Sequence, residues 1–169
     1  MRAFIGIRIP EFSGYDRLRE RLAMEFGGNA RIVEPGNLHI TLRFLGEVSE
    51  DECGEVWNRI AFPRDSFSIT GNGIGHFPEG KPSARVIFVP VLSDDLERIA
   101  RSNPELRDQE KDFHCTVARL KKPQHVNGIE DEFRAVAFFS FPVKRISLFR
   151  SQLLRTGPVY EELLFHQLM

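Results

Sequence analysis

Two stretches of the chain carry the same short pattern. Residues 39–46 read HITLRFLG and residues 114–121 read HCTVARLK, so His-x-Thr followed by apolar strand residues occurs twice, with first residues 39 and 114. Only five histidines and four threonines occur in 169 residues, so chance is a poor explanation for the doubled pattern. A weak internal duplication of this kind predicts two similar half-domains that face each other.

Each pattern lies in a run that is typical of a β-strand. Side chains alternate between the two faces of a strand, so His39, Thr41 and Arg43 are expected to share one face. The apolar residues between them, and Phe44 after them, are then expected to face the core. His114 and Thr116 repeat this arrangement in the second run, opposite an apolar face that includes the residue between them.

A pocket that contains two imidazoles and two hydroxyls suits a phosphodiester. Opening a phosphodiester requires one proton to be removed from water and another to be given to the leaving oxygen. Because the unperturbed pKa of histidine is roughly 6.5, one ring can serve as the base and the other as the acid near neutral pH. Threonine hydroxyls can donate hydrogen bonds to the non-bridging oxygens, where negative charge accumulates.

The order of predicted elements indicates an α+β fold with largely antiparallel sheets. Strands and helices alternate without the regular rhythm of a parallel sheet. Strands are predicted at residues 3–9, 38–45, 67–70, 84–91, 113–120, 138–149 and 159–168. Helices are predicted to begin at Ser13, Ser49 and Ser93, and a fourth is predicted within residues 126–137. No linker-like tract divides the chain, so residues 1–169 are expected to form one domain.

Composition excludes several classes of protein. The formal net charge is -1, whereas a protein that wraps long nucleic acid usually has a strong basic excess. A small anionic ligand or the end of an RNA remains compatible with that charge. No apolar run approaches the roughly 20 residues that span a bilayer. Cys53 and Cys115 are too few for a disulfide framework and are predicted to be buried thiols in the reducing cytoplasm.

The remaining histidines and charged residues give weaker signals than the two motifs. A histidine metal site would need a third ligand at short spacing, and the carboxylates near the motifs are not arranged that way, so no metal is expected. His76, His125 and His166 lack the motif and are interpreted as loop, solvent or packing residues. Arg43 could serve the phosphate or simply keep a surface cleft soluble, and the sequence leaves both readings open.

The resemblance to a known family extends over nearly the whole chain. In order, NLHITLRFLGEV, GIGHFP, ARVIFVPV, HCTVARLKKP and ISLFRSQLLRTGPVYEELLFHQL resemble the 2H phosphoesterase superfamily, and within it the RNA 2′,3′-cyclic phosphodiesterase or 2′–5′ RNA ligase-like family. The resemblance implies a bilobal fold. Two pseudo-symmetric halves with antiparallel sheets would surround a central cleft and carry helices on their outer faces.

The resemblance also implies an activity, which is hydrolysis of a terminal 2′,3′-cyclic phosphate to a 2′-phosphate without a metal or other cofactor. His39 would donate a proton to the 3′ oxygen and His114 would accept one from water. Thr41 and Thr116 would hold the phosphate. Arg119 matches an arginine that follows the second motif in many relatives. By strict alternation it points away from His114, so a bulge or a strand end would be needed for it to reach the phosphate.

Two other functions are compatible with the same residues. A 2′–5′ RNA ligase that joins tRNA halves would use every catalytic residue of the hydrolase. A binding module would hold a nucleotide or an RNA end without turnover. Both motifs are intact, which favours catalysis. The expected partners are therefore RNA ends or nucleotides with a cyclic phosphate, bound by a monomer with no membrane attachment.

Overall fold

The computed structural model describes residues 1–106 and 112–169. Within those residues the chain forms ten strands and four helices. The strands are β1 Arg2–Arg8, β2 Ala30–Ile32, β3 His39–Glu47, β4 Phe67–Asn72, β5 Gly75–Phe77, β6 Ser83–Leu92, β7 His114–His125, β8 Ala137–Val143, β9 Arg145–Leu154 and β10 Gly157–Gln167. The helices are α1 Tyr15–Phe26, α2 Glu50–Asn58, α3 Asp94–Ser102 and α4 Asn127–Phe133.

Local capping signals set two of the predicted helix starts. Ser49 Oγ accepts a hydrogen bond from the Glu52 backbone N–H at 3.1 Å, and the Glu52 carboxylate accepts one from the Ser49 N–H at 2.7 Å. This reciprocal pair is the capping box expected at α2. Ser93 likewise accepts from a backbone N–H at the start of α3. The predicted Ser13 cap is wrong, because α1 begins after Gly14, which is left-handed at φ 88° and provides no side-chain cap.

The strands follow the order β10-β9-β1-β3-β7-β6-β4-β8, with β2 paired to β7 and β5 paired to β6. Every one of these pairs is antiparallel. The two motif strands, β3 and β7, lie at the centre and are joined where Ile40 pairs with Cys115. The predicted α+β class and antiparallel pairing are therefore confirmed.

The halves on either side of this junction repeat one another. The succession β1, α1, β3, α2 in the first half corresponds to β6, α3, β7, α4 in the second. Apolar side chains from all four helices pack in one core with the inward residues of the motif strands, such as Ile40 and Val117. Because the helices occupy that face of the strands, the opposite face is left for a cleft, as a bilobal fold requires.

The C-terminal part of the chain crosses between the halves. The single extended segment predicted over residues 138–149 divides between β8 and β9. Strand β8 pairs with β4 in the second half, and β9 pairs with β1 in the first. Both cysteines are free and buried, as expected. Within the described ranges, no helix is long and apolar enough to cross a membrane.

Candidate active site

The two motif strands present their polar side chains on the same face of the sheet. His39 and Thr41 are half-buried, whereas Ile40, between them, is fully buried. In β7 the residue between the histidine and the threonine, Cys115, is also fully buried. The antiparallel pairing of Ile40 with Cys115 places each histidine next to the threonine of the other motif. The duplicated pattern predicted that the two motifs meet in one pocket, and the register between β3 and β7 brings them together.

A cavity of about 480 Å³ opens on this face. It is large enough for a nucleotide-sized ligand. The motif strands, β2 and the turn between β9 and β10 form its walls. Its lining residues are Arg31, Ile32, Val33, Glu34, Asn37, His39, Thr41, His114, Thr116, Arg119, Leu153, Leu154, Arg155, Thr156, Gly157, Pro158 and Tyr160.

Both imidazole rings are held by the same kind of hydrogen bond. His39 Nδ1 lies 2.7 Å from the carbonyl oxygen of Asn37, and His114 Nδ1 lies 2.9 Å from that of Asp112. A carbonyl oxygen only accepts hydrogen bonds, so Nδ1 carries a hydrogen in each ring. Nε2 is then the atom that gains and loses a proton, and the two rings offer equivalent atoms for acid–base chemistry.

His39 lies between two aromatic rings. The centroid of its ring is 4.9 Å from that of Phe4 and 4.9 Å from that of Tyr160, which meets it edge-on at 75°. Burial is the main cause that lowers the pKa of His39, and the positive charges of Arg119 and Arg8 lower it further, against an opposing hydrogen bond to a backbone carbonyl. These surroundings therefore favour a neutral His39.

His114 has different aromatic neighbours. The centroid of its ring is 4.9 Å from that of Phe77 and 5.0 Å from that of Phe88. Phe77 and Phe88 are themselves 4.4 Å apart and come from the paired strands β5 and β6. The two histidines thus share a backbone anchor but differ in their surroundings, since a tyrosine lies against His39 while phenylalanines pack on His114.

A bulge in β7 brings Arg119 into the cavity. Thr116 pairs with Phe88, but Ala118 pairs with Ile87, so Val117 is an extra residue in the strand. Val117 and Ala118 are consecutive and both fully buried, which reverses the alternation after Thr116. Arg119 consequently lines the same cavity as the histidines. Of the two expected ways for Arg119 to reach the cavity, a bulge or a strand end, the strand has the bulge.

A second bulge, in β3, turns Arg43 out of the site. Thr41 pairs with Gly6 and Arg43 pairs with Ile5, so Leu42 is the extra residue. Arg43 does not line the cavity and forms an ion pair with Glu105 instead. The prediction that Arg43 faces the cavity is therefore wrong. That prediction assumed that side chains continue to alternate between the two faces of β3 beyond Thr41.

The same bulge overturns the prediction that Phe44 is a core residue. Phe44 is 44% exposed and pairs across the sheet with Phe4, the residue that packs on His39. Residues directly opposite one another in an antiparallel pair share a face, so Phe44 lies on the side of the histidines. The guanidinium carbon of Arg2 lies 4.9 Å from the centre of its ring.

Several cavity residues could not be identified from the sequence. Tyr160 approaches His39 from β10, more than 100 positions along the chain, and Arg155 enters from the turn that precedes β10. Asn37 holds His39 through its carbonyl while its side-chain amide donates to the Pro158 carbonyl at 2.9 Å. Most of these contacts are long-range, and no local pattern in the sequence marks them.

The other three histidines lie outside this cavity. His76 Nδ1 contacts the Glu130 carboxylate, and His166 stacks on Phe62 with ring centroids 4.6 Å apart. His125 is exposed at the end of β7. Over residues 1–106 and 112–169, no group of three or more His, Cys, Asp or Glu side chains is placed to hold a metal ion.

Comparisons with known proteins identify the family. The family model described as LigT like Phosphoesterase matches residues 10–88 and 90–160. A protein of Archaeoglobus fulgidus called RNA 2′,3′-cyclic phosphodiesterase is 33% identical over 96% of this chain and 98% of its own. A protein of Aeropyrum pernix with the same name is 37% identical over 87% of this chain and 90% of its own.

The fold comparison agrees with the sequence comparison. A crystal structure of a Thermus thermophilus protein superimposes with a TM-score of 0.69 and 28% identity. That alignment covers 99% of this chain and 98% of the other. From the matched family model, the identity to the two archaeal proteins and the shared fold, this chain belongs to the LigT-like phosphoesterase family.

Proposed function

We propose that this protein hydrolyses the 2′,3′-cyclic phosphate at the end of an RNA chain to a 2′-phosphate, by acid–base catalysis that uses no metal ion. The observation that carries the proposal is the presence of two histidines and two threonines in one cavity, with each Nδ1 held by a backbone carbonyl. The name shared by the two archaeal relatives supports a cyclic phosphate as the substrate.

In the proposed reaction His114 and His39 act on the two sides of the phosphorus. His114 Nε2 accepts a proton from water as the water oxygen bonds to phosphorus. His39 Nε2 donates a proton to the 3′ oxygen as the bond between phosphorus and that oxygen breaks. Each proton transfer is typically worth about 10²–10⁴-fold in rate.

Thr41, Thr116 and Arg119 would stabilise the charge on the phosphate. The cyclic diester has two non-bridging oxygens, and negative charge grows on them in the transition state. Two hydroxyls and one guanidinium fork supply enough donors for both oxygens. Donors placed in advance at such oxygens each contribute on the order of 10²–10³-fold in enzymes that have been dissected by mutation.

The protonation of His39 follows from the bound anion. Burial and nearby arginines lower the pKa of His39, yet a proton donor must be protonated. A phosphate held beside the ring stabilises the imidazolium and raises the pKa again. Binding of a 2′-nucleotide near pH 7 should therefore take up a proton. Calorimetry in buffers with different ionisation enthalpies measures that uptake, and His39→Gln should reduce it.

The central test is an assay with adenosine 2′,3′-cyclic phosphate in excess EDTA, in which phosphorus NMR identifies the product. The wild-type protein should release adenosine 2′-phosphate. His39→Ala and His114→Ala should each lower kcat by about 10²-fold or more. His125→Ala, at an exposed histidine outside the cavity, is the matched control and should retain full activity. Loss of the wild-type rate in EDTA would contradict the metal-free mechanism.

A second experiment assigns the acid and the base. If sulfur replaces the bridging 3′ oxygen, the leaving group becomes a much weaker base and needs little help from an acid. His39→Ala should then recover most of the lost rate, whereas His114→Ala should not. The opposite pattern, or a 3′-phosphate product from the natural substrate, would reverse the two roles.

Product analysis also separates hydrolysis from the two alternatives. Ligation replaces water with the 5′ hydroxyl of a second RNA, so RNA halves that carry a cyclic phosphate and a 5′ hydroxyl would give a longer, 2′–5′-linked product. A binding module would retain affinity for 2′-nucleotides but turn over no cyclic phosphate at all. Either result would displace hydrolysis as the function of this site.

A further inference from the structure

Arg31 lines the cavity but has no part in the proposed chemistry. Arg31 lies on β2, and its partner across the strands is Arg119 of β7. Side chains directly opposite in an antiparallel pair lie on one face, with Cβ atoms about 4.5–5.5 Å apart. Both arginines line the cavity that holds the histidines. Arg31 is therefore a close neighbour of the proposed phosphate-binding arginine.

Arg31 and Arg119 form a pair of like charges on one face of the sheet. Among the residues that the structure describes, no carboxylate forms an ion pair with either Arg31 or Arg119. Glu34 also lines the cavity, but it lies 3.4 Å from Arg19. Like charges directly opposite one another destabilise a sheet, so the arrangement fits a site whose counterion is a bound anion.

The cavity is more basic than the chain as a whole. Arg155 joins Arg31 and Arg119 in its lining, and Glu34 is its sole carboxylate among the described residues. The whole chain nevertheless has a formal net charge of -1. Positive charge is thus concentrated where a polyanion would enter. Backbone phosphates supply much of the affinity of proteins for nucleic acids.

The position of Arg31 indicates a second phosphate rather than the reacting one. Along β7, Arg119 follows Thr116, and Arg31 lies on the neighbouring strand at the level of Arg119. Two threonines and Arg119 already provide donors for both non-bridging oxygens of the cyclic phosphate. Arg31 stands on β2 at the level of Arg119, beyond the level of the threonines along the sheet. With Arg119 at the cyclic phosphate, Arg31 is placed to meet the next phosphate of a chain.

We propose that Arg31 binds the phosphate on the 5′ side of the terminal nucleotide, so that the site prefers an RNA chain to a cyclic mononucleotide. This inference rests on the proposed function, and it names the substrate class of that site. The recognised group is a phosphate attached to the 5′ oxygen of the terminal nucleoside. Either an internucleotide diester or a 5′-monophosphate can provide it, and the substrates of the test distinguish the two sources.

Three substrates test the proposal. They are adenosine 2′,3′-cyclic phosphate, its 5′-phosphorylated form and the dinucleotide ApA with a 2′,3′-cyclic phosphate. A charge-assisted hydrogen bond at an exposed arginine is expected to raise kcat/KM about 10-fold, so both 5′-phosphorylated substrates should exceed the first by that factor. A gain with the dinucleotide alone identifies the diester as the recognised group.

Variants then assign the preference to Arg31. Arg31→Gln should remove most of the preference for a 5′ phosphate and affect the unphosphorylated substrate far less, whereas Arg31→Lys should retain part of it. Raising the salt concentration should lower kcat/KM for the dinucleotide more steeply than for adenosine 2′,3′-cyclic phosphate. In plots of log kcat/KM against log salt concentration, the two slopes should differ by about 0.7 for the one additional phosphate, and Arg31→Gln should remove that difference. Arg98→Gln, at an exposed arginine on α3, is the control and should change nothing.

The outcomes separate this inference from the proposed function. Equal kcat/KM for all three substrates, or an equal loss on all three in Arg31→Gln, would overturn the second phosphate site while leaving hydrolysis intact. An equal loss would mean that Arg31 serves the reacting phosphate. If the wild-type protein turns over none of the three, the proposed function fails first. Thermal unfolding of Arg31→Gln confirms that the variant is folded.

Discussion

Gly6 of β1 pairs with Thr41 of the first motif strand, and a single methyl group at Gly6 should disturb the site. A Cβ atom at Gly6 would be 2.5 Å from the carbonyl oxygen of Ile40 and 3.3 Å from the ring of Phe4. Ile40 is the residue between His39 and Thr41, and Phe4 packs on His39. Gly6→Ala therefore disturbs both the strand that carries His39 and the Phe4 ring that packs on its imidazole.

The size of the effect follows from this overlap. Carbon and oxygen atoms in close contact are normally about 3.3–3.6 Å apart, so β3 has to move by roughly 1 Å to admit the methyl group. Forcing extra volume into a packed region costs about 1–3 kcal/mol of unfolding free energy. A displacement of about 1 Å at a catalytic group can lower the rate by on the order of 10²-fold.

Urea denaturation and kcat on adenosine 2′,3′-cyclic phosphate measure the two effects separately. The first measurement does not depend on the proposed activity. Gly54→Ala is the matched control, because Gly54 lies inside α2 with nothing within 4 Å of its added Cβ. Replacing a helical glycine of this kind with alanine should stabilise the protein by about 0.5–1 kcal/mol and leave kcat unchanged.

The reasoning is refuted if Gly6→Ala has the same midpoint of urea denaturation as the wild-type protein and also retains the wild-type kcat. Such a result would mean that the Ile40 carbonyl can move aside without shifting His39. A loss of stability with full activity would separate the two effects, and it would show that Phe4 and Ile40 do not position the ring.

Three further changes test other parts of the structure. Burial lowers the pKa of His39 in the folded protein below its value in the unfolded chain. The stability that a neutral His39 contributes is therefore complete above about pH 6.5 and is lost as the pH falls. His39→Gln should flatten the acid side of a plot of unfolding free energy against pH. Arg43→Gln should remove the ion pair with Glu105, cost at most about 1 kcal/mol in urea denaturation and leave kcat unchanged. Ser49→Ala should remove the capping box and cost about 1 kcal/mol by the same measurement.

The elements nearest the motifs could be predicted because their signals are local. The capping box at Ser49 involves residues three positions apart. The alternation from His39 to Thr41 follows from the geometry of one strand. The same holds from His114 to Thr116 in β7. Two polar side chains per strand could therefore be placed correctly on one face.

Strict alternation of side chains failed as a guide where the partner strand sets the geometry. Arg43 and Phe44 exchange faces because Leu42 has no counterpart on β1, and Arg119 reaches the cavity because Val117 has none on β6. A bulge depends on the pairing of two strands, so neither strand alone reveals it. In both halves the bulge comes directly after the threonine, which preserves the symmetry of the duplicated pattern.

The sequence by itself determined the identity of the candidate reacting groups, the face that carries them and the α+β order of elements. These properties repeat every two residues, or lie within a few positions of one another, so neighbouring residues are enough to fix them. The tertiary structure alone decided that Tyr160 and Phe4 enclose His39, that Arg31 stands opposite Arg119 and that Arg43 leaves the site. Those outcomes depend on registers between strands that are distant in the chain, and a register is fixed only when the strands pack together.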